Sequence, residues 1–352
     1  MTAQAQRPAG QGAFIPEDTE PWQGLAQVHV DLVRAVAARC PDPRIATIDQ
    51  DATIHESHKR EALTHHEGGR GYQPMTAVWA ELHVVLADQF RDGNVPASFA
   101  PLLAALPLTI PEYSSRGDSA GHERELLAWL RNPSRPNGPA GSIWFGLSAR
   151  MSPALAVAIH ALTETAWQPY TGAGEAPDEL RDWAEVPFVP SEAREQRNPE
   201  PVRYVAVRVR PRQGELFADG TAVKHVAVLS NQWDWDGARL RQWHREKAGT
   251  MEPVHDVGKH ELAGGVLPCG RFGAHAAWLR LALLAPNVLT AVKRLALAPE
   301  WLTARPTRLR FLVFTVPGRL ITPARQRWLR RATTRDRLAQ WREAVHLLPA
   351  PS

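Results

Sequence analysis

The chain has 352 residues, 44% of them hydrophobic and 22% charged, with a formal charge of +4. Such proportions are those of a soluble globular protein of about two domains, with a core of ordinary size. Two cysteines, Cys40 and Cys269, without CxxC or Cys/His ligand spacing, argue against a structural zinc and fit a reducing cytoplasm.

The first twenty residues are rich in Pro, Gly and Gln and read as disordered, and Met1 to Gly12 lacks the apolar stretch of a signal peptide. Trp22 to Arg39 carries Leu25, Val28, Leu32, Val33 and Val36 at helical spacing, and Pro41 and Pro43 stop it. The β-branched run from Arg44 then ends in Asp49 and Asp51. Side chains two apart on a strand share a face, so these like charges need something positive between them. Mg²⁺ or Mn²⁺, which prefer carboxylate oxygens, are the natural candidates, and solvated acids at a strand end are the plain alternative.

His55 to His66 forms a polar region whose histidines, His55, His58, His65 and His66, resemble an ordinary loop more than a metal site. Gly68 to Tyr72 marks a turn. Met75–Trp79 and Leu82–Phe90 read as two strands that form a meander with the first. After an apolar, Pro-punctuated stretch from Leu102 to Ile110, Asp118 stands where a strand hands over to the helix Glu123–Arg131. Sites are built at that edge of open α/β sheets, although Asp118 or Ser119 can equally cap the helix. Ser142–Met151 reads as a strand and Pro153–Thr165 as a helix. Val205, Val207 and Val209 alternate with polar positions, and Val223–Leu229 is a second β-like run.

A helical region then runs to about Pro299; its most apolar part, Trp278–Ala298, holds Arg280, Lys293 and Arg294 and reads as a buried helix rather than a membrane span. Within that region Met251-Glu252-Pro253 reads as a helix start, with Glu252, Asp256 and Lys259 on one face, metal-binding or merely solvated. The tail from Arg305 to Arg342 is strongly basic and suits contact with DNA phosphates. Trp167, Trp183, Trp233 and Trp235 are candidates for stacking on a base, against a default role in the core.

An acid ending the first strand, another after a later strand and a third on a far-downstream helix, with a β-rich insertion before it, is the layout of RNase H-like nucleotidyl transferases. The expected class is therefore α/β, an RNase H-like (retroviral integrase-like) core with a partly β insertion before the last catalytic helix. The boundaries expected are 1–43 for a start and N-terminal helix forming a truncated N-terminal region, 44–150 for the first part of the core, and 151–223 for the insertion. The second part with the catalytic helix then occupies 224–300 and the basic tail 301–352.

The segments Ile48-Asp49-Gln50-Asp51-Ala52-Thr53, Gly69-Arg70-Gly71-Tyr72-Gln73-Pro74, Arg116-Gly117-Asp118-Ser119-Ala120 and His244 to Glu252 resemble those of bacterial DDE transposases. More narrowly, they resemble DDE group 1 of the insertion-sequence transposases; Arg91 to Ala97 and Leu267 to Ala274 fit the same pattern. The resemblance covers about residues 40–335, with His275 where the family usually has Asn and Pro286 where Tyr is common. It implies Asp51, Asp118 and Glu252 as catalytic, metal-holding acids, with Asp49 as an adjacent supporting ligand, around two Mg²⁺ or Mn²⁺ ions. Lys259 matches the lysine that contacts the transposon-end phosphate; Arg245, Lys247, Arg325, Arg327, Arg330 and Arg331 are the further DNA-binding candidates.

The implied partners are double-stranded DNA, as terminal inverted repeats and target, and a second copy of the chain on that DNA. The implied location is the cytoplasm at the nucleoid, without a membrane. Two other functions stand beside this one. One is a DNA-binding remnant without catalysis. The other is a phosphatase of the haloacid dehalogenase type, with Asp49 as nucleophile and Asp51 as acid/base, although Glu252 has no place in it.

Overall fold

In the computed structural model, residues 19–40, 44–95, 110–135, 138–170, 172, 179–190, 202–212, 216–315, 317–322 and 326–331 are described. The stretch 102–109 and the arginines 325, 335, 337 and 342 lie outside them.

Helix α1 (Glu20–Ala37) leads into β1 (Ile45–Ala52), three short strands β2 (His55–Glu56), β3 (Leu63–Thr64) and β4 (Arg70–Tyr72), and the pair β5 (Met75–Trp79) and β6 (Val84–Gln89). Then come β7 (Glu112–Gly117), α2 (Arg124–Arg131), β8 (Trp144–Ser148) and α3 (Pro153–His160). Strands β9 (Gln168–Tyr170), β10 (Glu179–Val186), β11 (Arg203–Pro211) and β12 (Lys224–Ser230) precede α4 (Gly237–Asp256), a π-turn over Val257–Glu261, and α5 (Phe272–Ala296). A single turn, α6 (Pro306–Leu309), and the hairpin β13 (Gly318–Ile321) and β14 (Trp328–Arg331) close the described chain.

The large sheet has nine strands in the order β6-β5-β1-β7-β8-β12-β11-β10-β9. β1, β7 and β8 are mutually parallel, β5 and β6 run antiparallel beside β1, and β12 returns antiparallel to β8. The expected meander is therefore β1-β5-β6, and the β-rich segment after residue 151 lengthens the same sheet. β2, β4 and β3 form a small separate sheet where the sequence suggests a loop and a turn. Each of its strands is too short to carry a periodic signal, and Gly68, at φ 89°, makes the reversal between them.

Alternation along the strands divides the core into two faces. Ala46 and Ile48 of β1 pack with Val33 and Val36 of α1, Leu126 and Leu130 of α2, and Leu155 and Ile159 of α3. On the other face Val78 and Val85 meet Phe272, Leu279 and Leu283 of α5 and Met251 of α4, and farther along Val205, Val207 and Val228 meet Leu240 of α4. The result is a three-layer arrangement of helix, sheet and helix.

Among the described residues α5 is the one helix long and apolar enough to cross a membrane. Here its polar groups fasten it to the sheet. Buried Asn287 accepts from the Val85 amide and donates to the Val85 carbonyl, both at 2.7 Å, closing off the edge strand β6. Buried Arg280 pairs with Asp88 at 2.8 Å and lies 3.5 Å from the centre of the Trp22 ring.

Helix α4 lies in the helical region that the sequence suggests from Trp233 onward, but Met251-Glu252-Pro253 does not start it. Asp236 caps it by accepting from the Arg239 amide at 2.7 Å, so Met251-Glu252 falls in its last turns and Pro253 inside it. The π-turn that follows adds a residue and rotates the later side chains off the face of the earlier ones. The helix also sits very close to the sheet. A Cβ on Gly146 of β8 would come within 2.8 Å of the Trp243 ring.

Candidate functional site

The carboxyl ends of β1 and β7, neighbouring parallel strands, bring Asp51 and Asp118 together. The last register pair of β1 and β7 is Asp49 with Arg116, and Asp51 and Asp118 each follow two residues beyond it in their strand direction. Burial raises the Asp118 pKa above the ordinary carboxylate value, with Lys247 opposing that shift and the nearby Asp51 charge adding to it. One Asp118 oxygen also accepts from the Ala120 amide at 3.1 Å, capping the short turn Ser119–Gly121. The capping and site-forming alternatives are thus compatible.

Helix α4 supplies the opposing charge. Lys247 places its ammonium 3.0 Å from Asp51 Oδ2 and 3.4 Å from the carbonyl of Gln50. Asp51 is therefore paired with a side-chain cation whose charge is also felt at Asp118.

Asp49 departs from its expected role as a metal ligand. It is fully buried, and its two oxygens accept from Arg116 Nε at 2.6 Å and Nη2 at 2.8 Å. A carboxylate held by both arms of a guanidinium has little left to offer a metal. The same burial removes it as the exposed nucleophile that a haloacid dehalogenase mechanism needs. Pairing across 67 residues leaves no local trace, although Arg116 and Asp118, two apart, are the same kind of same-face pair as Asp49 and Asp51.

An open cleft of about 480 Å³ adjoins the acids, lined by Ala52, Thr53, Ile54, Glu56, His66, Glu67, Gln73, Asp118 and Lys259. Lys259 donates to the carbonyl of Ile54 at 2.8 Å. Burial lowers its pKa, against the pull of Glu56 and Glu67. Sequence patterns single out Asp118, Lys259 and His66 from this wall. They miss Glu56 and Glu67, which arrive on the small sheet or beside it.

Beneath Lys259 lie two histidines held neutral. The His55 pKa falls to about 3 through burial, then Lys259 and His255; that of His255 falls to about 4 through burial, then Lys259 and Lys247. His244 is fully buried, with its pKa lowered to about 3 chiefly by that burial, and its Nε2 lies 3.1 Å from the Gly117 carbonyl.

Glu252 does not join Asp51 and Asp118. It is exposed on α4, and among the described residues no three His, Cys, Asp or Glu side chains lie close enough to hold a metal ion together. The expected common face of Glu252, Asp256 and Lys259 is also absent. Asp256 pairs with Arg305 and, at 3.8 Å, with His260, while Lys259 turns to the cleft. Arg245 is half-buried on α4 and has partners of its own. Arg327 and Arg330 are exposed at the terminal hairpin, and Arg331 ends its second strand. Among the tryptophans, Trp183 is core and Arg208 lies 4.6 Å over the Trp167 ring. Trp235 packs edge-on to Trp243, whereas Trp233 is 54% exposed.

A mixed sheet with parallel central strands and acids at two adjacent strand ends, beside an open cleft with a lysine, is an architecture suited to phosphoryl chemistry. The family model described as transposase DDE domain group 1 matches residues 13–349, and the chain belongs to that family. It is a transposase of the DDE type.

Among solved structures, a piggyBac transposase synaptic complex with hairpin DNA is similar at 8% identity and a TM-score of 0.39. The match covers 77% of this chain and 51% of that one, so the chain spans about half the length of that protein. No curated protein matches the sequence.

Proposed function

We propose that this transposase cleaves DNA strands at the ends of an insertion sequence and joins them to target DNA, in a reaction that depends on Mg²⁺ or Mn²⁺. The observation that carries the proposal is the proximity of Asp51 and Asp118 at the ends of β1 and β7, with the Lys247 ammonium paired to Asp51 and acting on both. The donor set fits a hard divalent ion. Carboxylate oxygens are its preferred ligands, and Mg²⁺ is often held by one or two carboxylates with water and substrate phosphate completing the shell. Lys247 already stands as a cation in that place.

When bound, such an ion activates a water or 3′-hydroxyl and stabilises the leaving oxygen of an in-line displacement. The chain's own residues do the rest. Asp51 and Asp118 hold the ion. Lys259, on the cleft wall, pairs with a phosphate of the scissile strand, and Lys247 turns from Asp51 to the same backbone. Glu252, exposed in the last turns of α4, would serve as the third acid and help to hold a second ion. Asp49 acts from below as a buried, paired acid.

The strand order β6-β5-β1-β7-β8, with β5 and β6 antiparallel and the acids ending β1 and β7, supports an RNase H-like core whose β-rich insertion extends the sheet. Exposed arginines at the terminal hairpin, Arg319, Arg327 and Arg330, support contact with duplex backbone. Arg319 and Arg330 stand opposite each other in register, an arrangement of like charges that an anionic partner relieves. Binding of two copies to paired inverted repeats in the nucleoid completes the proposal.

The test uses duplex DNA carrying the element's own ends with Mn²⁺. Wild type nicks the end and Asp118→Ala does not; equal cleavage by both removes the mechanism. DNA binding by wild type without nicking in either ion favours a catalytically silent remnant.

A further inference from the structure

The geometry points to Arg116 as a positioning residue that sets the spacing of the two metal-holding carboxylates without touching the ion. The inference rests on the reading of Asp51 and Asp118 as those carboxylates. Its basis is the rung of the sheet directly below them. Asp49 on β1 and Arg116 on β7 are register partners, and their bidentate bond joins the two strands side chain to side chain. The remaining arm of the guanidinium, Nη1, donates to the Trp243 carbonyl at 2.7 Å and to Glu246 at 3.1 Å on α4. The face of Trp243 lies 5.4 Å from the guanidinium carbon.

One planar group therefore ties β1, β7 and α4 together at a single level. The residues one step above it are those of the site: Asp51 on β1, Asp118 directly after β7, and Lys247, next to Glu246, on α4. The Arg116 and Asp49 side chains are 3% and 0% exposed, so water does not compete for these bonds. A lysine reaches one partner at a time from a flexible stem, whereas the guanidinium fork fixes both directions. If the rung lets go, each strand end follows its own course and the acids drift apart. A few tenths of an ångström matter to an ion that demands near-ideal octahedral geometry.

A pair that only holds the fold together makes a different prediction from a pair that sets the site. Replacing a buried ion pair by apolar side chains of similar volume is commonly tolerated, whereas removing one partner strands the other charge. The paired variant Asp49→Leu/Arg116→Met is therefore the decisive one, compared with wild type, Arg116→Lys and Asp51→Asn. Thermal unfolding of the metal-free full chain reports the fold, and Mn²⁺ titration followed by electron paramagnetic resonance reports the site.

The expected result is a paired variant that melts close to wild type and binds Mn²⁺ about 10–100-fold more weakly, the range for residues that orient ligands without touching metal. Arg116→Lys, charged but without the fork, is expected to fold and lose Mn²⁺ affinity in the same direction. A folded paired variant with wild-type Mn²⁺ affinity overturns the inference. If the paired variant does not fold, unchanged affinity in Arg116→Lys overturns it, and if neither folds the pair is a folding element and the assignment falls. Wild type that takes up no Mn²⁺, or takes it up as well in Asp51→Asn, removes the underlying reading and this one with it.

Discussion

Replacing Lys247 by methionine separates two contributions that normally oppose each other at this site. In the metal-free chain the ammonium sits 3.0 Å from Asp51, with side chains 13% and 27% exposed. At that distance and an effective dielectric constant of about 20 the gross attraction is ~5 kcal/mol. Desolvation and the ordering of a long side chain offset most of it, leaving ~1–2 kcal/mol net. Lys247→Met removes that stabilisation and leaves Asp51 and Asp118 facing each other without a cation. The metal-free variant therefore melts a few degrees lower.

Divalent ions see the opposite effect. In wild type an entering ion must displace the ammonium, and in the variant it does not. Mn²⁺ affinity then rises by the same ~1–2 kcal/mol, roughly 5–30-fold. Thermal unfolding across a Mn²⁺ titration reads both at once, since a ligand that binds only the folded state raises the midpoint according to its affinity. The variant is expected to begin below wild type and to show the larger rise. A variant that starts lower and gains less refutes the reasoning, because Lys247 would then assist the ion. One that matches wild type at every concentration shows that the contact contributes nothing.

Burial holds the Asp118 pKa up, so its contribution to stability is fully present below the ordinary carboxylate value and is lost as pH rises through the raised one. Asp118→Asn is thus expected to stabilise the metal-free chain at pH 7 in urea unfolding while abolishing Mn²⁺ uptake; a less stable variant contradicts this. His244 has the opposite sign. Its pKa is lowered to about 3, so its contribution is present above the unfolded value of 6.5 and lost as pH falls towards 3. A folded His244→Gln variant should therefore lose less of its melting temperature than wild type between pH 7 and 4, and parallel profiles would exclude His244 as an acid-sensitive group. At the hairpin, replacing Arg319, Arg327 and Arg330 by alanine should flatten the dependence of log affinity on log salt for any duplex, by up to ~0.9 for each phosphate left without its arginine. An unchanged slope places the DNA elsewhere.

What the sequence discloses, and what it hides, follows the range of the interaction involved. β1 is legible because β-branched residues and a period of two are local facts, and the same parity puts Asp49 and Asp51 on one face. The partners of those acids are not local. Arg116 and Lys247 reach them across 67 residues and nearly two hundred, and no spacing rule connects such positions. Like charges on one face require a cation, and the folded chain supplies two of its own, one for each acid.

The start of α4 shows a competition between signals. Pro253 suits a first turn, and so does Asp236, well upstream, as a cap; tertiary packing of Leu240, His244 and Met251 decides for the longer helix. With that decision Glu252 moves from the head of a helix, where a carboxylate is favoured, to its last turns, where the dipole disfavours it. A carboxylate so placed gains when a cation approaches. The exposed acid, the interior proline and the π-turn beyond it lie in one short segment that ends at the cleft, where Lys259 forms part of the wall.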